Sequence, residues 1–362
     1  MITHKWRLTC ADISDSEIEP VVCVQTTLMG ALGFDVVRFL ARRLVNYVLM
    51  LFLATSLVYF LASFFMDPRS NYLSRNPRPP MASIDASLTA ANINDKTPIF
   101  ERYWNWITGI VLHWDWGLSP TQEPVSGAIT SRIGASVQLL SLATVLGIVI
   151  GVGLGVYTAT RQYKWQDRVL GGISTFFLVV PTAVLALGVV IGAIWLNQAV
   201  GFRLFYVTGL HSYEGHNWLL KLSDLAQHLI LPTIVLTVIT AVTYHLTQRT
   251  YLLDTMNADY VRTARAKGLP LNVAIRKHAL RTSLIPTTVN VAFTVAGVFT
   301  GAVITETIFA INGLGKYFIT SLVNNDINAS VAIAAFGGAC ALIAALLADV
   351  AVAWIDPRVR IS

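Results

Sequence analysis

The chain has 362 residues, of which 54% are hydrophobic and 13% charged, with a mean hydropathy of +0.60. That balance is far from a soluble-domain average and excludes a chain that folds wholly in water. The net charge of +6 would mark a nucleic-acid binder only as a basic face on a soluble fold, so nucleic acid is not an expected partner.

Residues 1–34 carry Asp12, Asp15, Glu17 and Glu19 and no apolar core, so they do not read as a secretory signal. Residues 1–35 are expected to be a flexible cytoplasmic extension. A hydrocarbon core about 30 Å thick takes about 20 apolar residues to cross as a helix. Six windows qualify: 44–66, 137–159, 172–196, 229–252, 286–310 and 331–354. They are continuously apolar, whereas barrel strands are short and alternate. The expected fold class is an all-α integral membrane protein with six transmembrane helices, the first led in by residues 36–43 and the other five forming a core over 136–357.

Lys and Arg concentrate in cytoplasmic loops, and they fall here in one set of connections. Arg38, Arg42 and Arg43 precede the first span, Arg161, Lys164 and Arg168 fill the turn between spans two and three, and a basic cluster fills 253–285 between spans four and five. Arg358 and Arg360 lie in the tail, 358–362. The alternate loops are poorer, with Arg203 and Lys221 in 197–228 and Lys316 in 312–330. Both termini are therefore expected on the cytoplasmic side.

The long external segment, 67–135, changes character midway. Pro68, Pro77, Pro79 and Pro80 disfavour regular structure up to about Thr97. Beyond it, Trp104, Trp106, Trp114 and Trp116 sit among apolar residues too few to span. Trp favours the headgroup level, so a short helix on the outer membrane surface is expected. It would serve as an interfacial anchor contacting membrane lipid, as a contact for an external binding protein, or as both.

Within the spans, Gly147, Gly151 and Gly155 recur at helical spacing, as do Gly188 with Gly192 and Gly297 with Gly301. Such faces let helices approach closely in lipid. Pro181 and Pro232 are positioned to kink spans three and four. Buried ionisable groups are scarce: Glu306 near the outer end of span five, and His245 and Asp349 toward the inner side. An ion-coupled transporter would carry more such groups near the midplane, so the energy is expected from a partner. Glu306 reads either as a packing carboxylate or as a lining of the external mouth that meets a cationic peptide terminus.

No catalytic constellation is present. Gly313-Leu-Gly-Lys316 lacks the upstream Gly and the following Ser or Thr of a phosphate-binding loop. His211 and His216 have no companion ligands, so no metal site is expected, and Cys10, Cys23 and Cys340 have no redox or metal spacing. The chain is expected not to be an enzyme and to bind no cofactor itself.

The most informative stretch is Asp259-Tyr-Val-Arg-Thr-Ala-Arg-Ala-Lys-Gly268-Leu-Pro270, with Arg276-Lys-His-Ala-Leu-Arg281 and Ile285-Pro286 after it. Asp259 suits the N-cap of a helix running through Lys267, Gly268 supplies a left-handed stop, and Pro270 opens a second helix to about Thr282 before Pro286 begins span five. The result is a helix–Gly–helix elbow. Charge alone fits equally a loop held against anionic headgroups.

The residues themselves resemble the cytoplasmic coupling loop of permease subunits in the dipeptide/oligopeptide branch of ABC importers. Arg102-Tyr-Trp-Asn-Trp-Ile, Asp115-Trp-Gly-Leu-Ser119, Glu306-Thr-Ile-Phe with Asn312-Gly-Leu-Gly-Lys316, and Trp354-Ile-Asp-Pro-Arg358 are similar to other parts of that family, over most of 36–360. Met29 to Arg43 already resembles a complete permease beginning. One departure is His-Ala-Leu-Arg where importers generally have Ile-x-x-Pro, a variation typical of the peptide branch.

The resemblance implies a type-I ABC importer permease fold and a multi-pass subunit of a prokaryotic cytoplasmic (inner) membrane. It implies a homologous second permease, two cytoplasmic ATPase subunits that bind ATP and Mg, and an external peptide-binding protein that delivers a di- or oligopeptide. Asp259, Arg262, Ala264, Arg265, Ala266, Gly268, Leu269, Pro270, Arg276, His278 and Arg281 would then form the ATPase-coupling loop, with Ala264, Ala266 and Gly268 as its small-residue core. The alternatives are a nickel or other small-solute permease of the same branch and, from other classes, an ion-coupled secondary transporter or a membrane-embedded enzyme.

Overall fold

The computed structural model describes residues 19–213 and 215–355, with the side chains of 42–213 and 215–352 among them. It falls into two compact units, residues 1–50 with 361–362, and residues 51–360. The start of the expected N-terminal extension, the tail 358–362 and the end of the Trp354–Arg358 signature lie outside the described residues. From Glu19 onward the expected extension is helical and continuous with the first span.

The elements in chain order are α1 (Glu19–Phe65), α2 (Ser70–Leu73), α3 (Met81–Ala90), α4 (Ile99–His113), α5 (Val125–Ala159), α6 (Trp165–Val179), α7 (Thr182–Val200), α8 (Trp218–Met256), α9 (Asp259–Ala266), α10 (Leu271–Ala274), a π-helical turn (Ile275–Ala279), α11 (Leu280–Thr300), α12 (Val303–Ile308), α13 (Leu314–Val323) and α14 (Ile327–Ile355). Six helical stretches among the described residues are long and apolar enough to cross a membrane. In the first unit, Arg43 Nε donates to Tyr47 Oη at 2.7 Å. All the elements after α1 lie in the second unit.

The spans run past their apolar windows. α5 and α8 extend outward to Val125 and Trp218, and span three is not one helix. Backbone at Val180 (ψ 122) and Pro181 (ψ 137) is extended, so the expected 172–196 span is split into α6 and α7. Proline lacks the N–H that would continue the helical ladder, and the residue before it is pushed out of helical geometry. Pro232, by contrast, stays inside α8.

α5 and α8 form the central pair, and the glycine stripe explains how. A Cβ on Gly147 would lie 2.5 Å from Thr240 Cβ, one on Gly151 2.5 Å from Ala241 O, and one on Gly155 2.8 Å from His245 O. Any side chain there would force the helices apart. Gly188, Gly192 and Gly297 have nothing within 4 Å of the equivalent point, whereas a Cβ on Gly301 would meet Gly315 N at 2.6 Å, so of those two pairs only Gly301 is packed closely within the chain.

Residues 67–97 are more ordered than their prolines imply. Pro80 caps the start of α3, and Ile84 and Leu88, one turn apart, are buried with Tyr72, Ile93, Tyr59 and Trp106. Beside them Arg69 bridges Asp85 at 2.7 Å and Asp95 at 2.5 Å, and Lys96 Nζ reaches Asp85 at 2.5 Å. The Arg69 guanidinium holds the Asp95 carboxyl below its ordinary range, as Lys96 and then Arg69 do for Asp85. Asn328, at the start of α14, donates to Ala91 O and Leu118 O at 2.9 Å each, tying this cap to span six.

Candidate functional site

The elbow between α8 and α11 follows from local chemistry. α9 begins at Asp259, one residue earlier than a cap at that residue would have it; Ala258 holds the cap position without a side-chain bond. Asp259 sits in the first turn and Arg265 in the last, each on the side the helix dipole favours. Gly268 has φ +89. Its N–H bonds Arg265 O at 2.9 Å, and Leu269 N–H bonds Ala264 O at 3.3 Å. This pair of reverse bonds is a Schellman stop, which needs a residue free to adopt positive φ.

Pro270 (φ −56, ψ 145) then caps α10. The second helix does not end near Thr282. It passes through the π turn into α11, and Pro286 lies inside α11 rather than opening a span. Proline is tolerated in apolar spans because neighbouring groups satisfy the carbonyl it frees.

The elbow is seated, not dangling. Val261 and Ala264 on α9, and Ala274, Ile275 and Ala279 beyond the turn, pack with Ala159 at the end of α5 and Leu252 on α8. Its other face is open. Asp259, Arg262, Arg265, Ala266, Lys267, Gly268, Pro270, Arg276 and Arg281 are exposed, and Leu269 and His278 are half-buried. Of the three small residues expected in the loop's core, only Ala264 is buried. Asp259 and Arg262 lie 3.7 Å apart while almost fully exposed, a pair that water screens. The surface on offer is thus a basic protrusion seated on Ala159 at the end of α5 and on Leu252 of α8.

Glu306 is fully buried within this chain. Oε1 accepts from Ser136 Oγ at 2.8 Å and Ala302 N at 3.1 Å, and Oε2 from Lys316 N at 2.8 Å. Ser136 Oγ in turn accepts from Leu314 N at 2.8 Å. A Cβ on Gly301 would lie 2.5 Å from Glu306 Oε1, and one on Gly313 would collide with the same carboxyl. The Gly313-Leu-Gly-Lys316 run therefore does close around an acidic group, but the group is an internal side chain.

The four tryptophans divide. Trp104 and Trp114 are exposed, Trp116 is partly buried, and Trp106 is buried against Tyr59, with ring centroids 4.7 Å apart. Trp106 is a core residue of the cap built by residues 67–118, whereas the exposed pair remains available to lipid or a partner. Sequence reasoning missed a polar cluster where α5, α6 and α8 meet: His245 lies between Thr158 and Ser174, next to an Asp167–Arg249 pair. Only His245 was visible as a buried ionisable residue; its partners come from two other helices. Among the described residues no group of three His, Cys, Asp or Glu is placed to share a metal ion.

The family described as the binding-protein-dependent transport system inner membrane component matches residues 151–361, more than half of the chain. The chain belongs to that family. The oligopeptide transport system permease protein OppB of Mycobacterium tuberculosis is 43% identical over 327 residues, covering 90% of this chain and 99% of that one. The dipeptide transport system permease protein DppB of Lactococcus lactis is 29% identical over 327 residues, 90% of this chain and 100% of that one. OppB of Escherichia coli is 27% identical over 327 residues, with 89% and 99% covered. Together with the six apolar helices, this makes the chain a multi-pass membrane protein with the type-I ABC importer permease fold, the family and fold class that residues 259–286 resembled.

Proposed function

We propose that this chain is a translocation subunit of an ATP-driven importer that passes di- or oligopeptides, delivered by an external binding protein, into the cell. The observation that carries the reading is its relation to peptide permeases along nine-tenths of its length. The seated basic elbow supports it. In this reading the chain pairs with a homologous permease, and the elbow's exposed face docks on one of two cytoplasmic ATPase subunits, which bind ATP and Mg and hydrolyse the nucleotide. The membrane is the cytoplasmic membrane of a prokaryote, with both termini inside, as the Lys and Arg distribution implies.

The elbow's construction explains why it would transmit force. Because Val261, Ala264 and Ile275 pack on Leu252 and Ala159, a push on α9 is carried to the inner ends of α8 and α5 and is not absorbed by a slack loop. The close α5–α8 contact at Gly151 and Gly155 then moves the two spans as one body. Motion of such bodies opens the path alternately to each side.

The test is reconstitution of the chain with its co-encoded permease, ATPases and binding protein in vesicles. Peptide-loaded binding protein should stimulate ATP hydrolysis and drive labelled peptide inward. Stimulation by nickel or another small solute, with no response to any peptide, would overturn the substrate class.

A further inference from the structure

α6 is held to the rest of the chain in an unusual way. Its two buried residues, Asp167 and Ser174, are both polar, while Val169, Ile173, Phe176, Leu178 and Val179 are exposed within the chain. The two lie seven positions apart, about two turns, and so share one face. That face meets α8. Arg249 donates from Nε and Nη2 to Asp167 Oδ1 and Oδ2 at 2.6 and 2.8 Å, and Tyr163 N adds a bond to Oδ2 at 3.0 Å. Seven residues on, Ser174 Oγ lies 2.6 Å from His245 Nδ1, whose ring reaches Thr158 Oγ1 on α5 through Nε2 at 2.9 Å.

Two further facts bear on what this arrangement does. At its far end α6 meets the extended backbone of Val180 and Pro181, so it is jointed to α7 and not continuous with it. At its near end the posts that hold it, His245 and Arg249, belong to the helix whose last turns carry the elbow through Leu252 and Met256. Detaching α6 would break a bidentate ion pair and one hydroxyl–imidazole bond and uncover the half-buried Leu170 and Phe177 on the same face, but it would separate no fully buried apolar residue of α6. Its exposed apolar side chains lose nothing by moving among lipid tails, which are as apolar as they are.

We infer that α6 is a hinged half-helix that swings about Val180–Pro181 during the transport cycle, and that Arg249 and His245 are the latch posts that hold it in one of its two positions. Both are positioning residues. The inference rests on the reading that the elbow receives the motion of an ATPase. A shift of α8's inner end moves the posts relative to α6, and because the latch is directional, a small displacement breaks it outright instead of stretching it.

The test uses the full complex in lipid nanodiscs, with Cys10, Cys23 and Cys340 replaced by Ser and spin labels at Arg168→Cys on α6 and Thr250→Cys on α8, both exposed positions. Distances are measured without nucleotide and after trapping with ATP and vanadate. Trapping should add a second, longer distance population, and Asp167→Asn should populate it before nucleotide is added. Arg249→Lys, which keeps the charge but not the fork, should do so to a smaller extent and serves if Asp167→Asn does not assemble. A single distance unmoved by trapping overturns the latch. Because this readout needs nucleotide but no substrate, a failure of the peptide assignment would leave the distance change in place and abolish only peptide-stimulated hydrolysis.

Discussion

Ser136 on α5 and Glu306 on α12 are joined by a 2.8 Å hydrogen bond inside a fully buried cradle, and Ser136 passes the contact on to Leu314 N. One carboxyl thus gathers α5, the residue after the α11 stop at Gly301, and the first turn of α13. Glu306→Gln would turn an N–H₂ toward one of the donors now served, leaving a buried donor unpaired at about 1–3 kcal/mol. The expected outcome is a lower thermal midpoint and less assembled complex, with substrate preference unchanged in what remains. Unaltered stability with a changed preference for cationic substrates would return Glu306 to the substrate path.

At Gly268 conformation and charge are separable. φ is +89 and no atom lies within 4 Å of a built Cβ, so a substitution meets backbone strain but no collision. Ala there costs about 1–2 kcal/mol, while Asn and Asp visit this region more readily. Uptake should fall in the order Gly, Asn, Ala, Asp, with Gly268→Asp abolishing it through a negative charge set in a basic face. The chain should remain inserted, and peptide binding to the isolated external protein should not change. Equal uptake by all four would show that the elbow is a membrane tether.

Much of the fold was legible because apolar runs of helical length announce themselves, and Gly268 with Pro270 punctuates the elbow at single-residue resolution. What escaped was whatever depends on partners distant in sequence. Glu306 reads as an isolated acid until Ser136 and the backbone of residues 314–316 close around it. His245 likewise gives no hint of Thr158 or Ser174. The cap over 67–97 was hidden by its prolines, which start α3 rather than prevent it. The joint at Val180–Pro181 was half visible: proline marks the site, but whether a helix runs on, as at Pro232, or breaks depends on packing around it.

Asp326 gives the chain a pH-dependent element. Its carboxyl is buried at the start of α14, Oδ1 accepts Ala329 N at 3.0 Å, and burial pushes it up from 3.8 to about 6. A raised acid binds its proton more tightly when folded. Its penalty is therefore absent below about pH 4, grows through the interval between 3.8 and 6, and is complete above it, amounting to about 3 kcal/mol at most. Asp326→Asn keeps the oxygen that accepts from Ala329 and cannot ionise. It should raise the thermal midpoint at pH 8 and give no gain at pH 4. A loss at both pH values would mean that the charge on the cap outweighs its burial.

The topology prediction rests on the same Lys and Arg asymmetry as the docking side of the elbow. Ala86 on α3 and Thr263 on α9 are both exposed, so neither needs the fold to open before a reagent arrives. In a background lacking the native cysteines, a membrane-impermeant maleimide applied to intact cells should modify Ala86→Cys and spare Thr263→Cys, and permeabilisation should make the two equal. The comparison is internal, because the two sites differ in side of the membrane and not in burial. Labelling of Thr263→Cys from outside would put the elbow on the wrong face for any cytoplasmic ATPase and would remove the basis for reading it as a coupling surface.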